Sequence, residues 1–147
     1  MNATTDVDRQ SHPVRPGLLL YAIGAWVGMV VLAIFNATLR EVFITPNAGE
    51  YAGHVISTAT LLILLAAYIY VYFRWMPVHE GPELALVGVL WAGLTVAFEF
   101  LFGHYVAGQA WEDLLMLYDV TQGYVWIFLP LFILVAPTLF GRYQYRE

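Results

Sequence analysis

A carboxylate, Glu99, stands inside the apolar run Ala97-Phe98-Glu99-Phe100-Leu101-Phe102, and the pair Gly103-His104 follows it. A charged side chain in hydrocarbon is costly, so it is normally either paired or put to use. Other polar groups reach a similar depth once the chain is folded into hairpins. Asn36 and Arg40 close the first apolar run, and Glu50, His54 and Ser57 open the second. Thr95 lies one helical turn before Glu99. At a rise of about 1.5 Å per residue, Glu99 lies roughly 7 Å deeper than His104.

Three chemistries suit such a cluster. In the first, Arg40 neutralises Glu99 as a buried ion pair, because buried charges are kept where a partner meets them. In the second, His54 and His104, each preceded by glycine, ligate a haem or a metal, with Glu99 or Glu50 adding an oxygen. The sequence has no H-E-x-x-H or E-x-x-H pattern, so no metal and no cofactor is expected. In the third, Glu99 handles a proton, an ion or a small ligand. The pocket would open outward between the second and third spans, lined by Asn36, Arg40, His54, Ser57, Thr95, Glu99 and His104. Nothing in the sequence names a catalytic residue.

The elements that position these groups follow from composition. The 147 residues are 61% hydrophobic and 12% charged, with a mean hydropathy of +0.68. A soluble domain carries about 25% charged residues. Four apolar runs approach the length of a membrane span, so the expected fold is all-α, a four-helix transmembrane bundle. A polar tail, 1–16, precedes a membrane domain, 17–141, and a short tail, 142–147, ends the chain. No cleavable signal is expected, since the first apolar run is too long for one. The chain contains no cysteine and no lysine, which excludes disulfides, thiol catalysis and Schiff-base chemistry. The net charge of −5 argues against nucleic acid as a partner.

In chain order, the first span should run from Pro16–Gly17 to about Leu39, with Glu41–Gly49 as an outer connection. Gly24 and Gly28 form a G-x-x-x-G pair that could bring a second copy or a larger complex into contact. The second span should run from about Glu50 to Phe73, ending in an aromatic belt with Arg74. The third should run from Glu83 to about Tyr105, with Gly88, Ala92, Thr95, Glu99 and Gly103 as a small and polar stripe. Ala107–Gln122 reads as an interfacial segment with a short amphipathic helix, and Gly123–Phe140 as the fourth span. Arg9, Arg15, Arg74, Arg142 and Arg146 fall on one side and Arg40 on the other, so both termini should be cytoplasmic in a cell-membrane protein. Trp26-x-Gly28-x-x-Val31 recurs as Trp91-x-Gly93-x-x-Val96, a possible trace of duplicated hairpins.

The segments Glu99-Phe100-Leu101-Phe102-Gly103-His104-Tyr105, Trp111-Glu112-Asp113-Leu114-Leu115, Asn36-x-x-x-Arg40-Glu41 and Gly49-Glu50-x-x-x-His54 belong together. With them the chain resembles small four-span prokaryotic membrane proteins of unassigned function. That resemblance implies a fold and a location, and no activity. The expected function is a structural or accessory membrane subunit. The alternatives are a small-ligand, ion or proton-handling protein using Glu99, and a haem or metal redox subunit using His54 and His104.

Overall fold

The computed structural model describes residues 15–76 and 81–144. Within them every regular element is helical. Three helices are long and apolar enough to cross a membrane: Pro16–Ala48, Glu50–Trp75 and Gly81–Val106. Large apolar side chains stand on the outside, among them Leu20 at 71% exposure and Ile63 at 70%. That is the surface a helical bundle presents to lipid.

The first rod is longer than the sequence suggests. Helix α1 (Pro16–Leu39) passes through a π turn (Arg40–Ile44) into α2 (Thr45–Ala48) without a break. The expected loop over Glu41–Gly49 is therefore helical up to Ala48. Pro46 comes just after the π turn, so the rod lacks one backbone donor there and still continues to Ala48. The reversal is made at Gly49, whose φ of 87° favours glycine. Helix α3 (Glu50–Trp75) returns antiparallel to α1. Tyr68 meets Ala25, and Ser57, nearer the start of α3, meets Asn36, farther along α1.

Helix α4 (Gly81–Leu101) starts beside the start of α1 and runs parallel to it. The chelated pair Arg15–Glu83, 3.0 Å at its shortest, fixes the common end. Trp91 Nε1 donates to the Ala22 carbonyl at 2.7 Å, and Trp26 Nε1 donates to Thr95 Oγ1 at 3.1 Å. These pairings are separated by 68, 69 and 69 residues, a constant register along two parallel helices. The two tryptophans of the repeated motif thus bridge the same pair of helices in opposite directions.

After α4 come a π turn (Phe102–Val106), the short α5 (Trp111–Met116) and a 3-10 turn (Val120–Gln122). Helix α6 (Phe128–Gln144) begins five residues later than the expected fourth span and ends later too, so Arg142 is helical. Gly123, in the left-handed region at φ 84°, delays the start. Pro130 then falls in the first turn, where it takes no bond from the helix. Residues 1–14, 77–80 and 145–147, with Arg9 and Arg146, lie outside the described residues.

Hydrocarbon offers little drive for apolar helices to associate, so close approach and hydrogen bonds must do it. Gly88 shows the first: a Cβ there would run into the Leu134 backbone carbonyl of α6. Gly28 is likewise filled within the chain, by the Tyr68 ring, while Gly24 is open. Gly88→Val should push α4 from α6 and cost about 1–3 kcal/mol, the usual range for overpacking. Gly24→Val, with nothing within 4 Å of the new Cβ, is the control. Thermal unfolding in detergent should show a lower midpoint for Gly88→Val alone.

Candidate functional site

The close register of α1 and α4 reaches Trp26 and Thr95, and beyond it the two helices enclose space. Trp26 lies edge-on to Phe98, with ring centroids 5.9 Å apart, and forms the floor. Above the floor is a cavity of about 410 Å³. Ala33 and Ala37 of α1 line one side, too short to fill it. Phe98 and Phe102 of α4 line the other and stack on each other at 5.2 Å. His54 of α3 and Trp126 contribute the back wall, and Leu114, Leu117 and Tyr118 the cover.

Glu99 lines this cavity. Its Oε2 accepts hydrogen bonds from the Tyr118 hydroxyl and from Trp126 Nε1, the latter at 3.0 Å. Its Oε1 has no hydrogen-bond donor among the described residues. Burial first, and the facing carboxylate second, push the Tyr118 hydroxyl well above the ordinary phenol range, so it stays a donor.

Both donors come from the connection between α5 and α6, and local chemistry sets them. Asp119 caps the 3-10 turn by accepting from the Thr121 backbone N–H at 3.0 Å. Tyr51 of α3 donates to the Gly123 carbonyl at 3.0 Å, tying the turn to the bundle. The Phe100 ring stacks on Tyr118 at 5.6 Å, and the His54 ring packs on Trp126 at 5.5 Å. A second cavity of about 420 Å³ adjoins the first, sharing Arg40, His54 and Leu117 and reaching Glu41, Glu50, Tyr51 and Tyr124.

The expected cluster is only partly assembled. Arg40, His54, Thr95 and Glu99 share the cavity beside Glu99, which is walled by α1 as well as α3 and α4. Glu50 lines only the adjoining one. Asn36 and Ser57 are buried against each other, the serine hydroxyl donating to Asn36 Oδ1. His104 stacks on Trp111 at 3.9 Å, and its Nδ1 lies 2.8 Å from the Gln109 carbonyl. His54 and His104 thus have separate surroundings. Among the described residues no group of three or more His, Asp or Glu side chains could hold a metal ion.

The expected Arg40–Glu99 ion pair is not formed. Arg40 Nε binds its neighbour Glu41 at 3.1 Å, and Glu99 is satisfied by Tyr118 and Trp126. The small and polar stripe is divided, with Thr95, Glu99 and Gly103 on the cavity and Gly88 away from it. Gly88 is taken up by α6, and Gly103 faces the Leu114 side chain. Sequence reasoning missed Trp26, Tyr118 and Trp126. The usable signal was that Tyr and Trp donors follow Glu99 within one connection. It missed Arg15–Glu83 as well, although both residues were placed at one membrane side.

No family model, curated protein or solved structure matches the chain.

Loss of one donor to a buried carboxylate costs about 1.5–3 kcal/mol. Tyr118→Phe and Trp126→Phe should each lower stability by that order. Glu99→Gln, which keeps an acceptor for both donors, should cost less than either. Arg40→Gln should change stability by less than about 1 kcal/mol, because its partner Glu41 is exposed. Denaturation in mild detergent measures all four variants. A large Arg40→Gln effect beside a small Tyr118→Phe effect would reverse the assignment.

Proposed function

We propose that the chain is a four-span membrane protein that holds a small lipophilic molecule in the cavity beside Glu99. The single observation that carries this reading is the cavity: about 410 Å³, walled by apolar and aromatic side chains and lined by Glu99, whose Oε1 has no donor among the described residues. Ligand sites for small molecules have volumes of roughly 300–1,000 Å³ and combine apolar walls with a few placed polar groups. A bundle selected only for packing would gain by filling such a space.

The fourth span in this reading is α6, 17 residues long and apolar, packed antiparallel on α4. Arg15, Arg74 and Arg142 belong to the same end of the bundle, which supports cytoplasmic termini in a cell membrane. The cavity then lies in the outer half. Trp111–Met116, with Trp111 and Leu115 exposed, suits the outer interface as its cover.

Saturable binding of N-phenyl-1-naphthylamine, a neutral lipophilic fluorophore, tests the reading. Energy transfer from Trp26 and Trp126 should saturate near one equivalent per chain in lipid nanodiscs. Ala33→Phe combined with Ala37→Phe should abolish the saturable component without unfolding the protein. A signal that never saturates and ignores these substitutions would reduce the chain to a structural membrane subunit.

A further inference from the structure

We infer that the molecule held beside Glu99 is an organic cation, an ammonium group carried on an apolar body. This rests on the ligand-binding reading above and adds the charge of the ligand. The first observation is a carboxylate without a counter-ion among the described residues. The ion pairs at the two described ends are Arg15–Glu83 and Arg40–Glu41, and neither includes Glu99. Tyr118 and Trp126 both donate to Oε2, so they support a negative charge while leaving Oε1 to an incoming group.

The second observation is the wall of the cavity that Glu99 lines. Trp26, Phe98, Phe100, Phe102, Tyr118 and Trp126 all line the cavity. Aromatic faces attract cations, and rings grouped about one acceptor are the usual means of holding quaternary ammonium groups. An anion would meet the carboxylate directly. A bare metal ion would need several oxygen or nitrogen ligands, and no cluster of three such acidic or imidazole groups exists among the described residues. An ammonium bearing alkyl groups needs neither. It trades a weakly held hydration shell for ring faces and one carboxylate oxygen.

The adjoining cavity favours the same charge. Glu41 and Glu50 line it, and Arg40, which borders both cavities, is already held by Glu41. A negative approach raises the local concentration of cations and lowers that of anions.

The test compares 4-phenylbutyltrimethylammonium with its neutral isostere, in which carbon replaces the nitrogen. Each displaces N-phenyl-1-naphthylamine from the purified full chain in phosphatidylglycerol nanodiscs, which contain no lipid ammonium. The cation should bind at least about tenfold more tightly than the isostere, the factor that 1.4 kcal/mol of charge recognition gives. Glu99→Gln should remove the preference, read as the ratio of the two affinities. Equal binding of both probes overturns the cation assignment and leaves the pocket standing. Failure of both probes and of the fluorophore to bind saturably overturns the pocket itself, and the cation with it. The wild-type comparison needs no variant to fold. If the preference is seen, adding phosphatidylethanolamine names its source. A weaker apparent affinity supports a lipid ammonium as the occupant, and an unchanged one supports a free cation.

Discussion

Glu99 lies on a helix surrounded by hydrocarbon side chains, and a carboxylate there must meet donors before the bundle can close around it. The donors come from the chain between α5 and α6, as a phenol and an indole. That requirement explains why this connection is folded rather than loose. Asp119 caps its short turn, Gly123 takes the left-handed conformation, and Tyr51 ties the Gly123 carbonyl to α3. Each of these contacts helps to aim Tyr118 and Trp126. The same connection then covers the space beside Glu99, so satisfying the charge and roofing the cavity are one structural act.

The space itself follows from how α1 and α4 are joined. From Arg15–Glu83 to Trp26–Thr95 the two helices hold a constant parallel register through side chains that bridge directly. Past Trp26 the facing residues become Ala33 and Ala37, which are too small to bridge, while Phe98 and Phe102 stack on each other. Both helices then pass through a π turn at the cavity end, Arg40–Ile44 and Phe102–Val106. Such wide turns are common where a helix serves a site. One end of the bundle is locked, and the other is built around a hollow.

Much of this was legible in the sequence, and the remainder was hidden for physical reasons. Span lengths set α1, α3 and α4 because twenty apolar residues have few other uses. Asn36 needed a partner at its own depth, and Ser57 supplies it. The first loop was misplaced because Pro46, Asn47 and Gly49 together read as breakers. The rod continues through Pro46 despite its missing N–H, and only Gly49 makes the turn. The Arg40–Glu99 pairing failed for another reason. Neutral donors, Tyr118 and Trp126, satisfy Glu99, and a guanidinium beside Glu41 binds the nearer carboxylate. Helix rotation was also invisible: it decides that His54 faces the cavity whereas His104 turns to Trp111.

A crystal structure grown from a lipidic phase tests the central claim most directly, because it shows what occupies the space next to Glu99. Non-protein density should lie against Oε1, with Tyr118 and Trp126 both on Oε2 and Phe98 and Phe102 still stacked at the wall. A cavity closed by those phenylalanines, with the Glu99 carboxylate turned onto Arg40, would contradict it.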